Sequence, residues 1–316
     1  MTHAALRPVL AAAAGLVLAA LSTHAGAISP AEVLAASAPA DWRRPADADL
    51  MVMDLPGGRR VVIELASVLV PRHASELQRR AAAGWFDSLA IVRVQDNYVV
   101  QWGDAAGGPP LPPGVERQLP AEIEFPRLPA GHFLALPDPD TYAARVGLFE
   151  GWPVAGEAGV DGAPEGPWWL VHCYGMVGAG RETGLDSGST GELYAVIGHA
   201  PRALDRNITL VGRILAGIEH LSALPRGTAA MGFHERDEAR TPLGRVRLAA
   251  DLPAAERPAL QVLRTDSASY AHWLQARRHR KDEFFERPAG RVDLCNALPP
   301  VRSLPAPTTA RPPPSR

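Results

Sequence analysis

The chain has 316 residues, of which 47% are hydrophobic and 21% are charged. This length and composition are typical of a globular protein with one large or two modest domains and a sizeable core. The net charge of −2 and the isoelectric point near 6.6 give no electrostatic reason to expect a nucleic acid or an anionic membrane surface as a partner.

The first residues have the pattern of a secretory signal peptide. Arg7 precedes an unbroken apolar run from Val9 to Leu21, and Ala25-Gly26-Ala27 supplies the small residues of a cleavage site. We expect residues 1–27 to be removed near Ala27, which leaves a soluble periplasmic or secreted protein without membrane contact. An uncleaved anchor is the alternative, although the apolar run is shorter than the roughly 20 residues that a span needs.

The next segments are predicted to be an extension and then a hairpin. Residues 28–49 are rich in Ala and Pro, which indicates an extended N-terminal extension with Trp42 as an anchor. From residue 50 the pattern becomes strand-like, with runs at Met51–Leu55 and Val61–Leu65 on either side of a Gly57-Gly58 turn.

A helix follows the hairpin. The Glu, Gln, Arg and Ala content predicts it over His73–Ala83, with Pro71 tolerated in the first turn and Gly84 placed to end it. The chain then enters the most informative stretch of the sequence.

That stretch runs from Val92 to Asp104. Strand alternation and a turn at Asp96-Asn97 are expected to bring an arginine, an aromatic residue and a glutamine onto one surface. The segment resembles the active-site strand pair of the cyclophilins, the prolyl cis/trans isomerases. Five positions match that family at its own spacing: Arg93, Tyr98, Gln101, Gly103 and Asp104.

The resemblance continues along the chain in the family's order. It includes the stretch from Val62 to Phe86-Asp87, then His172–Arg181, then Glu192–Tyr194, and finally Leu204–Gly217. It implies a mainly β fold, namely a closed eight-stranded antiparallel β-barrel capped by two helices. This cyclophilin-like domain is expected over residues 50–252.

The domain is expected to carry an insertion and a C-terminal extension. The insertion, at about residues 105–167, is rich in Pro and Gly, but strand-like runs at Leu134–Leu136 and Val146–Phe149 suggest that part of it is ordered beside the substrate groove. Residues 253–298 form the extension, with a helix predicted over Ser267–Phe285. The Pro-rich residues 299–316 are predicted to be a disordered tail.

The resemblance also implies a site. Arg93 and Gln101 would be catalytic, because an arginine stays charged near neutral pH and can donate a hydrogen bond to the prolyl nitrogen in a twisted transition state. Strand alternation favours Tyr194 over Ala195 as the aromatic wall. Six residues are expected to bind substrate: Tyr98, Val99, Gly180, Glu192, Tyr194 and Leu204.

The implied activity is isomerisation of X-Pro bonds in exported proteins. It needs no metal or cofactor, and the expected partners of this monomer are unfolded or Pro-containing polypeptides. Several groove positions differ from residues that are common in the family: Val92 for His, Glu192 for Gln, Ala203 for Trp, and Ile208 for His. Slow catalysis with altered sequence preference is therefore expected. A catalytically weak or silent chaperone that binds peptides in the same groove is the alternative.

The sequence has two cysteines, Cys173 and Cys295. In an oxidising compartment they could pair and clip the C-terminal segment to the main domain, whereas two buried unpaired thiols are the alternative. His172 does not make its neighbour a nucleophile, since adjacent residues of a strand face opposite sides. The dispersed histidines show no metal-ligand spacing.

Overall fold

The structure, a computed structural model, describes residues 28–104, 108–159 and 165–304. The expected signal peptide and residues 305–316 of the expected tail lie outside these ranges. The described residues form four α-helices: α1 (Pro30–Ala36), α2 (Pro71–Ala82), α3 (Ile218–Ser222) and α4 (Ala268–Arg278). Among the described helices, none is long and apolar enough to cross a membrane.

The same ranges contain sixteen β-strands, and all of their pairings are antiparallel. In chain order they are β1 (Trp42–Arg43), β2 (Leu50–Leu55), β3 (Arg59–Leu65), β4 (Ala90–Val94), β5 (Val99–Gly103), β6 (Phe133–Ala135), β7 (Arg145–Phe149), β8 (Trp152–Ala158), β9 (Glu165–Leu170), β10 (Met176–Ala179), β11 (Glu192–Val196), β12 (Leu210–Ala216), β13 (Thr241–Pro242), β14 (Val246–Leu248), β15 (Leu260–Leu263) and β16 (Val301–Ser303).

The main sheet is open and strongly curled. Its nine strands run in the order β13-β4-β5-β11-β10-β12-β3-β2-β14. The prediction of a closed eight-stranded barrel is therefore wrong, although the mainly β class is confirmed. The segment that lies between β4 and β2 is divided into two short strands, with β13 paired to β4 and β14 paired to β2. The residues that link them are held by hydrogen bonds from Leu243 N–H to Leu89 O and from Gly244 N–H to Asp54 O. Among the described strands, no ladder pairs β13 with β14, so the strand order ends at these two strands and the sheet does not close.

The main core lies between this sheet and helices α2 and α3. The predicted helix over His73–Ala83 is present as α2, which spans Pro71–Ala82, with Pro at its start and Gly84 in the left-handed conformation just beyond its end. Its residues Ala74, Leu77 and Ala81 recur at helical spacing and are buried against strand residues of the sheet. This packing fixes the strands that carry the candidate site.

A second core joins parts that are far apart in the sequence. It contains Trp42 of the N-terminal extension, Leu148 and Trp152 of the insertion, and Tyr270 and Leu294 of the C-terminal extension. The insertion contributes a four-stranded sheet in the order β6-β7-β8-β9, and the two extensions share a three-stranded sheet in the order β1-β15-β16. Cys173 and Cys295 are bonded to each other in this region, so the open question of their pairing is answered by the structure.

The two extensions are more ordered than predicted. The N-terminal extension contains α1, which begins at a capping box of Ser29 and Glu32 and packs on α4. The predicted disorder is wrong for the start of the tail, because β16 pairs with β15, with Val301 opposite Val262. Composition alone does not reveal that a free strand edge will be available as a partner.

The C-terminal helix is shorter than predicted. Helix α4 ends at Arg278 and not at Phe285. The side chain of Arg278 is paired with Asp138 of the insertion. The backbone carbonyl of Arg278 accepts a hydrogen bond from Gly290 N–H. The chain therefore folds back at this point and does not add further helical turns.

Candidate active site

Four neighbouring strands bring the candidate residues into one cross-strand row. The register places Arg93 opposite Gln101, Gln101 opposite Tyr194, and Tyr194 opposite Gly178. A bulge between Ile91 and Arg93 shifts the register of β4, which puts the arginine beside the glutamine. Because directly opposed residues share a face of the sheet, the three long side chains lie side by side.

The row borders a pocket of about 110 Å³. Seven of the residues predicted from the sequence line it: Arg93, Tyr98, Val99, Gln101, Gly180, Tyr194 and Leu204. Of the two further lining residues, Arg181 was not predicted as a site residue, and Ile208 was predicted as a groove position but not as a substrate-binding residue. Glu192 is absent from the lining and contacts Gln101 instead.

The guanidinium of Arg93 is held by three acceptors. Its Nε donates to the carbonyl of Met231 at 2.7 Å, and Nη1 donates to Oε1 of Gln101 at 3.2 Å. Nη2 donates to the side-chain oxygen of Gln95. Met231 has a positive φ of 57°, a costly conformation for a residue with a side chain, in the loop that directs its carbonyl at the arginine.

Two aromatic rings flank the same guanidinium. Its carbon lies 5.4 Å from the ring centre of Tyr98 and 5.3 Å from that of Phe233. Burial lowers the pKa of Arg93, while Tyr98 and Glu192 act in the opposite direction. An arginine so placed still keeps its charge at neutral pH.

Behind the arginine, Gln101 is connected to a carboxylate. Its Nε2 donates to Oε1 of Glu192 at 2.6 Å, so its Oε1 faces Arg93. The carboxylate also lies over Gly180, where an added Cβ would be 3.1 Å from Glu192 Oε2. Burial raises the pKa of Glu192, and the Gln101 hydrogen bond offsets only part of that effect.

Tyr194 forms one wall of the pocket and is held both at its ring and at its hydroxyl. Its ring crosses Gly178, where an added Cβ would be only 2.3 Å from the ring carbon Cζ, so a glycine is required there. Its hydroxyl lies 2.8 Å from Nε2 of His172, and burial raises the pKa of Tyr194 well above the usual value. Ala195 faces the main core, in agreement with the alternation argument that favoured Tyr194 for the pocket.

Several contributors to this site could not be found from the sequence. Met231 and Phe233, which hold and flank Arg93, come from a loop far along the chain with no motif of its own. Arg181 and Ile208 lie within segments that showed the family resemblance, and that placement was the available signal. Among the described residues, no group of three or more His, Cys, Asp or Glu side chains is arranged to hold a metal ion.

Comparison with known proteins identifies a family and solved structures of similar fold. Residues 50–248 match the family model described as cyclophilin type peptidyl-prolyl cis-trans isomerase/CLD. The crystal structure of cyclophilin AquaCyp293 from Hirschia baltica is similar with a TM-score of 0.66 and 22% identity, over 87% of this chain and 97% of that chain. A search of curated proteins finds no match.

A second solved structure is more distant. It is a Cryptosporidium parvum cyclophilin type peptidyl-prolyl cis-trans isomerase in the presence of the dipeptide Ala-Pro, with a TM-score of 0.41 and 10% identity, over 63% of this chain and 98% of that chain. This similarity is too low to support an argument. The family match, in contrast, covers well over half of the chain and every strand of the cross-strand row. The chain therefore belongs to the cyclophilin-type peptidyl-prolyl cis-trans isomerase family, and its activity is peptidyl-prolyl cis-trans isomerisation.

Proposed function

We propose that this isomerase accelerates rotation about X-Pro bonds with the guanidinium of Arg93. The planar bond resists rotation by roughly 18–20 kcal/mol because the nitrogen lone pair is shared with the carbonyl. Rotation ends that sharing, so the prolyl nitrogen becomes a hydrogen-bond acceptor only near the transition state. A donor directed at this nitrogen stabilises the transition state more than the ground state.

The observation that carries the proposal is a fixed cation at the rim of an apolar pocket. Bonds to Met231, Gln101 and Gln95 use three of the five guanidinium N–H groups. Within the described residues, two N–H groups are left for a bound peptide. The acceptors also hold the group in place before substrate arrives, so little reorganisation is needed during rotation.

The pocket suits a proline ring. Tyr98, Val99, Tyr194 and Leu204 supply apolar walls, and Ile208 adds another. A ring seated there would exclude water, and the lower local dielectric would strengthen the field of the arginine on the twisting bond.

Gln101 has a holding role in this scheme. It bonds to Arg93 on one side and to Glu192 on the other, and it lines the pocket where a substrate backbone would pass. A Glu in place of the family's common Gln adds a negative charge beside the groove. Altered sequence preference is the expected consequence.

The proposed clients are unfolded or Pro-containing polypeptides outside the cytoplasm. Two features support this: the signal-like pattern of residues 1–27 and the Cys173–Cys295 disulfide, since disulfides persist mainly in oxidising compartments.

The test of the mechanism compares wild type with Arg93→Ala and Arg93→Lys in a protease-coupled assay of X-Pro isomerisation. The alanine variant should lose at least about tenfold in kcat/KM, or about 1.4 kcal/mol. The lysine variant should recover only part of the rate, because it keeps the charge and loses the planar fork. Arg226→Ala is the matched control, since Arg226 pairs with Asp96 outside the pocket and its loss should leave the rate unchanged.

Wild-type activity in Arg93→Ala would overturn the mechanism. Equally low rates in wild type and Arg93→Ala, with peptide binding kept, would favour the alternative of a silent peptide-binding chaperone.

A further inference from the structure

We propose that the insertion positions the proline pocket through a buried chain of hydrogen bonds. The chain starts at Asp140 in the insertion, passes through Arg202, Asp205 and His172, and ends at the hydroxyl of Tyr194. Asp140 and Arg202 are thus positioning residues that touch no substrate themselves. This inference rests on the proposed function, because it concerns the same pocket.

The first link is an ion pair taken out of solvent. Asp140 lies in the loop between β6 and β7, and its two oxygens accept from both Nη atoms of Arg202 at 2.8 and 3.1 Å. Only 6% of either side chain is exposed. The ring of Tyr142 lies 4.9 Å from the guanidinium, and the Tyr142 N–H donates to Asp140 at 2.8 Å. Such bidentate pairs fix orientation as well as distance.

Charge keeps this first link in place. Burial opposes ionisation of Asp140, but the hydrogen bonds from Arg202 and from the Tyr142 backbone outweigh it and lower the pKa of Asp140. Burial likewise opposes the charge on Arg202, and its two carboxylate partners outweigh it and raise the pKa. Both groups are therefore ionised at neutral pH.

The second link turns the arginine toward the pocket. Arg202 Nε donates to Oδ2 of Asp205 at 2.6 Å. Arg202 begins a single 3-10 turn that ends at Leu204, which lines the pocket. The insertion thus holds the backbone turn that presents one pocket wall.

The third link reaches the other wall. Oδ1 of Asp205 lies 2.9 Å from both the backbone nitrogen and Nδ1 of His172. With Oδ1 accepting from Nδ1–H, the other nitrogen of a neutral imidazole, Nε2, is the acceptor for the Tyr194 O–H at 2.8 Å. The network thereby assigns the tautomer of His172 and draws the tyrosine hydroxyl inward.

The network affects the shape of the pocket through the position of Tyr194. With its hydroxyl held by His172 and its ring pressed across Gly178, the ring has one orientation in which it lines the pocket. Loss of the Asp140 charge would leave Arg202 with Asp205 as its sole carboxylate partner among the described residues, and the pair would reorient. Because the hydrogen bonds of a buried network depend on one another, a reoriented Arg202 and Asp205 would alter the hydrogen bond between His172 and Tyr194.

A double-mutant cycle tests the proposal with the full chain. Asp140→Asn should lower kcat/KM about fivefold in the wild-type background and by less than about twofold in a Tyr194→Phe background, because the phenylalanine has no hydroxyl to be positioned. Arg202→Lys offers a second entry into the network and should show the same dependence on Tyr194. The ring resonances of Tyr194 should shift in Asp140→Asn.

Asp138→Asn is the matched control. Asp138 lies in the same loop but pairs with Arg278 and the Val292 N–H, away from the pocket. It should leave kcat/KM and the Tyr194 resonances unchanged. An equal loss from Asp140→Asn in both backgrounds, no loss in the wild-type background, or the same loss from Asp138→Asn would overturn the positioning role.

The two hypotheses fail in different ways. Loss of activity in Arg93→Ala together with a network that shows no coupling to Tyr194 overturns only the positioning role. Full activity in Arg93→Ala overturns the arginine mechanism whatever the cycle shows.

Discussion

Arg93 reaches the pocket already bonded on three sides, and this arrangement decides what kind of catalyst it can be. A group that must titrate would be sensitive to its protonation state, whereas a guanidinium donates at any physiological pH. The acceptors come from the neighbouring strand, from the residue that follows its own strand and from the distant Met231 loop. A transition-state donor benefits from this constraint, because its orientation is set before the bond begins to turn.

Glu192 gives the site a measurable pH dependence. Burial raises its pKa, so the folded protein binds this proton more tightly than the unfolded chain does. Its contribution to stability is therefore present below the unfolded pKa, near the ordinary value of 4.5, and is lost as the pH rises through the raised folded value. In denaturant unfolding across this range, the stability of wild type should fall relative to that of Glu192→Gln as the pH rises.

The control for this measurement is Glu219→Gln, because that side chain is 69% exposed and its removal should leave the pH slope of wild type intact. Other carboxylates titrate in both proteins, and their contributions cancel in the difference. Identical slopes for wild type and Glu192→Gln would show that burial does not perturb this group.

At the scale of elements, a buried ion pair joins the main sheet to the insertion. The register of β3 and β12 puts Glu64 opposite Arg213, and the carboxylate is also bonded to Arg43 at 2.6 Å. Arg213 donates in addition to the carbonyl of Gly151, in the turn between β7 and β8, and lies over the ring of Trp152. One charged cluster therefore connects two sheets with different cores.

Glu64→Gln should destabilise the protein by about 3–5 kcal/mol, because it leaves the buried Arg213 without its counter-charge. Burial opposes ionisation of Glu64, but Arg213 and Arg43 outweigh it and lower the pKa. The stabilisation is thus present above the ordinary pKa and is lost as the pH falls through the lowered value. Chemical denaturation at neutral and acidic pH measures both effects.

Glu157→Gln serves as the comparison, since the Glu157 side chain is 44% exposed and its pair with Arg206 should contribute about 0–1 kcal/mol. If the two glutamine variants were equally stable, the buried cluster would not be the connection that its geometry indicates.

At the scale of the whole molecule, the disulfide closes a long loop. Cys173 and Cys295 are separated by 122 residues, and their bond connects the strand region near the pocket to the C-terminal extension. Reduction, or the double substitution to serine, should cost about 2–5 kcal/mol of stability. Thermal unfolding with and without reductant measures this, and the double serine variant should not respond to reductant.

The proposed export can be tested on protein recovered from its native host. It should begin near Ile28 and have no thiol that reacts before unfolding and reduction. A full-length N-terminus with two free thiols would contradict the proposed location. An unchanged melting temperature on reduction would contradict the structural role of the bond.

Local signals predicted some elements well. The hairpin of β2 and β3 and helix α2 follow from alternation, glycines and proline within each segment, and all three match the structure. Helix α4 and strand β16 were predicted poorly, because a contact between Arg278 and Asp138 and a pairing with β15 decided them. A segment whose partner is distant carries no local sign of it.

The candidate site divides in the same way. Arg93, Tyr98, Gln101 and Tyr194 could be identified because they lie on strands, or directly before one, whose spacing matches a family, and strand alternation then selected Tyr194 over its neighbour. Asp140 could not be identified, since its loop is Pro-rich and has no recognisable motif. Its pairing with Arg202 connects it to the pocket, and that contact is visible in the tertiary structure.

The amino-acid sequence by itself determined the family, the mainly β class and most of the residues that line the pocket, because alternation and spacing act between near neighbours in the chain. The tertiary structure alone decided that the sheet stays open, that three distant segments share a second core, and that Glu192 supports Gln101 without lining the pocket. These outcomes depend on contacts between segments that are distant in the chain. Such a segment can pair with a free strand edge, neutralise a buried charge or cover an apolar face, and the local sequence does not show which segment will do so.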